Sequence, residues 1–345
     1  KRKCRDNIMS KVTLLNNKSE IIDNIDKIRD MAVEHDKSRL EEYIGGIVFS
    51  ETLQKQYTMM REDLNLNSIR KRYFTNELKN RELLNTYYQH MYMHNHIAFE
   101  DEVFEAYDAI GNLLNSTKQD KIDLCKLLVL EELIDVYHFL LEYTCLLKEH
   151  FLMQIECTKQ NEAGKDFTVR DLERYLTVDS NFGIETHDDG CQYNIFDFLD
   201  FEGKHIASDI FCPSNIDKFY GYLSTTQSDQ FLFELLRLNR EFVRNCNFKD
   251  WKNYSVNFYD IVKIASLTDI TRKMYYLFIK TFVYYIDFVN VLYDDEYPYS
   301  GSDYLDALYI IYGIYTAKRS ENIRRQHNDP RYTGKNEGSI VGIEV

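Results

Sequence analysis

An apolar segment that carries three acids, residues 131–141, decides the fold: Glu131-Glu132-Leu133-Ile134-Asp135-Val136-Tyr137-His138-Phe139-Leu140-Leu141. Its apolar residues recur at helical spacing within a longer pattern, which predicts a buried helix from about Lys121 to Cys157. Glu132 and Asp135 are three positions apart and therefore share one face of that helix. Ionised carboxylates are costly to bury without partners, so two of them on one face of an apolar helix indicate a functional use.

A second acidic pair lies upstream. Glu102 and Glu105 are again three positions apart, on a helix predicted from about Asn95 to Leu114. If this helix packs antiparallel to the first one, four carboxylates meet at one point. Their oxygens suit Mg2+, which keeps coordination positions free for water and phosphate oxygens. Spacing alone still favours another interpretation, in which the acids lie on solvated faces or in salt bridges.

A magnesium site of this kind points to a polyphosphate as the substrate. The metal ions would offset the charge of the phosphates and lower the pKa of a bound water, which then attacks phosphorus. A carboxylate outside the direct ligands can accept the proton of that water, and Glu105 is our first choice for this role.

The composition predicts an all-α protein with long helices. The chain has only three prolines and 13 glycines in 345 residues, and these are the residues that interrupt helices. Its formal net charge of -14 argues against nucleic acid or an anionic membrane as a partner, because both require a basic surface. An anionic small-molecule substrate would therefore need metal ions or a local group of basic residues.

Cysteine usage predicts a reducing compartment, and we expect the cytoplasm. The seven cysteines are widely spaced and include no C-x-x-C pair, so neither a disulfide framework nor a zinc knuckle is indicated. No segment near the N-terminus has the order of a signal peptide. The most apolar segment, Met274 to Tyr293, contains Lys280 and Asp287 and fits a buried core helix better than a membrane span.

Apolar periodicity divides the chain into helical and irregular parts. We expect one bundle, with its N-terminal helices and metal-binding helices in residues 1–157 and its C-terminal helices in residues 227–326. Residues 158–226 are punctuated by glycine and predict an irregular insertion or cap, and residues 327–345 predict a flexible tail that closes on the nucleotide. Further helices are predicted over about Ser19–Tyr43, Ser50–Leu64, 67–95, Gln227–Arg244, Ser255–Tyr293 and Ser302–Gln326, with an interruption at Gly45-Gly46 and a candidate break near Thr268.

Three blocks, in this order along the chain, resemble a known group of enzymes. The E-x-x-E and E-x-x-D pairs at 102–105 and 132–135 are similar to the signature of the all-α nucleoside triphosphate pyrophosphatases, which include MazG-like enzymes and the dimeric dUTPases. Residues 135–139 resemble the D-x-W-H-F segment of the dUTPase branch, with Tyr137 in place of Trp. Residues 318–326 match its K-x-x-x-N-x-x-R-Q segment, and Tyr332 follows as it does there.

The resemblance implies a helical bundle of the all-α NTP pyrophosphatase type, commonly a homodimer. It implies hydrolysis of dUTP, and also of dUDP, to dUMP with two or more Mg2+ ions. By position, the implied metal ligands are Glu102, Glu105, Glu132 and Asp135. Glu102 and Glu105 are also the implied catalytic residues. The implied contacts to the nucleotide are Lys318, Asn322, Arg325 and Tyr332, together with Gln54 or Gln56 near the base.

Several alternatives stay open at this point. His138 fits contact with the nucleotide and a hydrogen-bonded core histidine equally well. The chain is also compatible with a MazG-like pyrophosphatase for another dNTP, such as dCTP, and with a non-catalytic helical interaction protein. A zinc site at His90, His94 and His96 is less favoured, because no H-E-x-x-H motif is present and the neighbouring residues fit an ordinary amphipathic turn.

Overall fold

In the computed structural model the helices are long and enclose a single apolar core. The structure describes residues 14, 17–33, 40–63, 81–161, 184–186, 192–194, 228–246, 256–293 and 300–328, with only the backbone at the ends of several of these segments. The helices are α1 (Lys18–Val33), α2 (Leu40–Asp63), α3 (Arg81–Leu114), α4 (Gln119–Asn161), α5 (Ser228–Cys246), α6 (Val256–Tyr284) and α7 (Asp303–Asn328). The predicted all-α class is thereby confirmed for the described residues.

A short strand pair lies inside the range that was predicted to be irregular. Strand β1 (Ile184–Thr186) pairs antiparallel with β2 (Gln192–Asn194), and Ile184 lies opposite Asn194. The rest of that range, beyond the end of α4, lies outside the described residues.

The helices α3 and α4 form the central hairpin. They are joined by the turn at residues 115–118, so they run antiparallel and contact each other along much of their length. The side-chain amide of Asn95 on α3 donates to the carbonyl oxygen of Phe139 on α4 at 3.1 Å. Further from the turn, the Tyr92 hydroxyl lies 3.1 Å from Nδ1 of His150. The hairpin thus brings the two acidic pairs to the same level.

Other helices surround α4, which explains its apolar character on nearly all sides. Helices α2 and α6 pack on α4, α5 packs on α3 and α6, and α7 packs against α1 and α2 and also reaches α4. Tyr137 is fully buried in this core. Its ring stacks on Phe278 at 5.0 Å, and its hydroxyl lies 2.8 Å from the Thr52 hydroxyl. Tyr137 therefore ties α4 to α2 and α6.

The predicted interruption at Gly45-Gly46 is wrong. Both glycines lie inside α2, which is continuous from Leu40 to Asp63. A helical glycine costs about 1 kcal/mol relative to alanine. The flanking side chains Ile44, Val48 and Phe49 are buried, and each contributes about 1.5–3 kcal/mol by leaving water. Packing therefore outweighs the helix-breaking tendency of the two glycines.

Two other predicted boundaries are also wrong. The segments predicted as 67–95 and 95–114 belong, from Arg81 onward, to one helix, and residues 64–80 lie outside the described part. Helix α6 passes through Thr268 without a break and ends at Tyr284. A separate 3-10 helix, Ile286–Val291, follows it. Thr268 is buried in the bundle, where a β-branched side chain is tolerated within a helix.

The apolar segment that begins at Met274 lies in the protein core, as expected. Met274, Leu277, Phe278 and Phe282 are fully buried against neighbouring helices. Within the described residues, no helix combines the length and apolar character that crossing a bilayer would require.

A close approach between α1 and α7 gives a test of this packing. A methyl group at Gly313 on α7 would lie 2.5 Å from Cγ1 of Ile25 and 2.9 Å from the carbonyl oxygen of Ile21. We expect Gly313→Ala to lower the free energy of unfolding by about 1–3 kcal/mol, because the helices must separate. Gly111→Ala on α3 is the matched control, since no atom lies within 4 Å of the added methyl group.

The control should leave stability unchanged or raise it by up to about 1 kcal/mol, as expected for alanine in place of a helical glycine. Both free energies can be measured by chemical denaturation. Equal stability of Gly313→Ala and the natural chain would contradict the packing of α7 on α1.

Candidate functional site

Three glutamates from the central hairpin converge. Glu102 and Glu105 lie on α3 and Glu132 lies on α4, and one carboxylate oxygen from each falls within 4.8 Å of the other two. The three-residue spacing places the first two on one face of α3, and the antiparallel packing places the third opposite them. Glu132 is only 9% exposed, Glu102 is partly exposed and Glu105 is exposed. The group is therefore buried on one side and open to solvent on the other.

Asp135, the fourth predicted ligand, is adjacent but engaged elsewhere. The group of three that meets this distance does not include it. Its carboxylate instead accepts a hydrogen bond from Nζ of Lys318 on α7. The same ammonium donates to the main-chain oxygen of Glu131 at 3.1 Å and lies 3.5 Å from its carboxylate. Lys318, predicted from the resemblance to contact phosphate, is thus placed among the acids and is only 6% exposed.

Burial and mutual repulsion raise the pKa values of two acids in this group. Burial raises the pKa of Glu102 to about 8, and the charges of Asp135, Glu132 and Glu105 add to the effect. Burial also raises the pKa of Glu132 to about 7, although Lys318 opposes the shift. Burial and repulsion therefore favour the neutral form of both carboxyls. A divalent cation at this point would favour the charged form instead and relieve the repulsion.

His138 lies one turn beyond Asp135 and is 6% exposed. The Gln56 side chain donates its amide to Glu142 at 3.2 Å, which leaves its carbonyl oxygen facing His138. That oxygen accepts from the Tyr315 hydroxyl at 3.0 Å and lies 3.2 Å from Nδ1 of His138. Because this oxygen can only accept, Nδ1 carries the proton and Nε2 carries a lone pair.

The lone pair on Nε2 of His138 is buried and has no hydrogen-bond partner among the described residues. Burial lowers the pKa of His138 to about 3, helped by the charges of Lys318 and Arg319, so the ring is neutral. The ring also packs on Tyr315 at 4.5 Å between centroids. One edge of the His138 ring is thus hydrogen-bonded in the core, and the other edge carries an acceptor nitrogen. A hydrogen-bonded core histidine and a contact to the nucleotide are therefore compatible interpretations.

Of the remaining predicted nucleotide contacts, the structure describes the side chains of the glutamines on α2 and of Asn322. Gln54 lies on the exposed face of α2, whereas Gln56, the other glutamine of that pair, is fully buried against His138. Asn322 is half-buried on α7, one turn beyond Lys318. Arg325 belongs to α7, but its side chain is outside the described part, and Tyr332 lies outside the described residues altogether.

The three histidines considered for a zinc site do not converge on a common point. His90 and His94 are exposed, while His96 is turned inward, with Nε2 3.6 Å from the carboxylate of Glu100. In the part of the chain that the structure describes, the three glutamates form the group in which ligand atoms converge.

Two contributors to the site were missed by sequence reasoning. Glu131 shares Lys318 with Asp135, and their spacing of four along α4 is a signal that could have been read. Arg319 adds positive charge beside His138, and its buried Nε has no hydrogen-bond partner among the described residues. No local pattern identifies Arg319, because its neighbours come from other helices.

Comparison with known protein families, with characterised proteins and with solved structures gave no match for this chain.

A pH test of the acidic group follows from the raised pKa of Glu102, which is about 8 in the folded chain against an ordinary 4.5. The stability that its proton contributes is fully present below the unfolded pKa and is lost as pH rises through the folded one. In metal-free buffer, Glu102→Gln should therefore match the natural chain in melting temperature near pH 5 and exceed it near pH 8.

The control is Asp108→Asn, an exposed acid on the same helix, whose difference from the natural chain should not change over this range. Melting can be followed by circular dichroism at each pH. A Glu102→Gln difference that stays constant with pH would contradict the proposed electrostatics.

Proposed function

We propose that this chain is a Mg2+-dependent nucleoside triphosphate pyrophosphatase that hydrolyses dUTP, and also dUDP, to dUMP. With dUTP the second product is pyrophosphate. The observation that carries the proposal is the convergence of Glu102, Glu105 and Glu132 from two antiparallel helices. This convergence occurs at the spacing that resembles the all-α pyrophosphatases, and it is half open to solvent.

The residues present fit a magnesium ion. Carboxylate oxygens are the ligands that hard divalent cations prefer, and three of them already lie within 4.8 Å of one another. The ammonium of Lys318 already pairs with Asp135, so the three glutamates are the ligands available to the ion. When bound, Mg2+ offsets phosphate charge and polarises the attacking water.

The side chains of the site then take distinct roles. Glu102 and Glu132 are the more buried acids and hold the ion, with Glu105 as the third ligand. Glu105 is exposed at the solvent edge, where it can also accept the proton of the water that attacks phosphorus. Asn322, and Arg325 beyond it on α7, follow Lys318 along that helix and would contact the phosphates.

The base would lie toward His138. Its Nε2 is a buried acceptor in need of a donor, and an N–H on the base edge supplies one. Gln56 fixes this tautomer by accepting from Nδ1, so it acts on the base through His138. Arg319 offers a donor beside it, which would suit a carbonyl oxygen of the base.

The proposal includes a homodimer, as the resemblance implies, and the cytoplasm, as the cysteine usage indicates. Exposed aromatic side chains support association, because Tyr107 on α3 and Phe233 on α5 contact each other at 5.8 Å and are both exposed.

The test is a panel of dUTP, dUDP, dCTP and the other dNTPs with Mg2+, in which monophosphate and pyrophosphate are quantified. We expect turnover of dUTP and dUDP, and loss of about 100-fold or more in Glu105→Gln with the helical circular dichroism retained. Asp108→Asn, an exposed acid on the same helix, is the matched control and should keep full activity.

Turnover of dCTP alone would move the assignment to a MazG-like enzyme for another nucleotide. No turnover of any nucleotide would contradict the proposal and favour a non-catalytic interaction protein.

A further inference from the structure

The side-chain ammonium of Lys318 divides the acidic region between α3 and α4 into two parts. Glu102, Glu105 and Glu132 form one group, with their oxygens within 4.8 Å of one another. Asp135 and Glu131 form the second, and both contact the ammonium of Lys318. The two parts are neighbours, since Glu132 follows Glu131 in sequence and lies three positions before Asp135.

The position of this ammonium is fixed by its surroundings. Lys318 is almost fully buried, and its Nζ donates to the main-chain oxygen of Glu131 and to the carboxylate of Asp135. It also lies 3.5 Å from the carboxylate of Glu131. One turn earlier on α7, Tyr315 packs on His138 and donates to Gln56. Helix α7 is therefore anchored to α2 and α4 beside the lysine.

We propose that Lys318 is an internal counter-cation that occupies the Asp135 side of the acidic region, so that the nucleotide-free protein binds one divalent ion. That ion lies at Glu102, Glu105 and Glu132, and Asp135 is not among its ligands. A second ion beside Asp135 would meet the positive charge of the ammonium at short range. The inference rests on the metal site of the proposed function.

Any further Mg2+ required for catalysis then arrives with the nucleotide. The phosphates of a nucleoside triphosphate carry their own magnesium and provide oxygen ligands that the free protein lacks. The number of ions bound by the free protein and the number needed for turnover are therefore expected to differ.

The test is isothermal titration of the nucleotide-free full chain with Mn2+, which serves as the probe for the divalent site. We expect one ion per chain in the natural protein. Lys318→Met removes the ammonium from the carboxylates of Asp135 and Glu131 and should give two ions per chain. The double variant with Lys318→Met and Asp135→Asn should return to one ion, with affinity within about threefold of the natural chain.

The double variant is the matched control because it removes one positive and one negative charge with side chains of similar shape. It also keeps the inference testable if Lys318→Met alone fails to fold. Glu132→Gln should weaken the single ion by about tenfold or more. Two ions or none in the natural protein would overturn the inference, as would loss of binding in the double variant.

These outcomes are distinct from failure of the proposed function. One bound Mn2+ without turnover of any dNTP would leave the inference intact and contradict the enzyme assignment. Turnover of a dNTP by a protein that binds two Mn2+ ions in the absence of nucleotide would support the enzyme assignment and contradict the inference.

Discussion

Repulsion among the carboxylates between α3 and α4 is the constraint on which the arrangement of the site depends. The hairpin packs through apolar side chains on both helices, and this packing brings Glu102, Glu105 and Glu132 together although their charges oppose it. The repulsion is lowered in two ways. Burial raises the pKa values of Glu102 and Glu132, which favours their neutral forms, and Lys318 supplies a buried positive charge from a third helix.

The third helix links the site to the rest of the bundle. Along successive turns of α7, Tyr312 contacts Glu51 and Lys55 on α2, Tyr315 contacts Gln56, and Lys318 contacts the acids on α4. A shift of α7 would therefore move the counter-cation away from Asp135 and, at the same time, remove the ring that covers His138. The electrostatics of the acidic group and the state of His138 thus depend on the same helix packing.

The sequence was sufficient for features that depend on spacing within one helix or across one short turn. The meeting of Glu102 and Glu105 with Glu132 follows from the three-residue spacing on α3 and a turn that forces the helices antiparallel. The spacing of Glu132 and Asp135 was not sufficient to place Asp135 in the same group, because Lys318 engages it. The position of Lys318 could not be predicted, because it depends on how α7 packs against α4. The same holds for Gln56, since periodicity gives the face of α2 but not the helix that covers it. Gly45-Gly46 was misjudged because local propensity was weighed without the burial on either side.

The proposed function and the role of Lys318 both require that the three glutamates form a divalent cation site. Anomalous diffraction from crystals of the protein soaked in Mn2+ tests it directly. We expect a strong anomalous peak about 2–2.5 Å from carboxylate oxygens of Glu102, Glu105 and Glu132, the range of oxygen ligands to hard divalent cations. Absence of a peak there, with ordered side chains that still hold the apo arrangement, would contradict it.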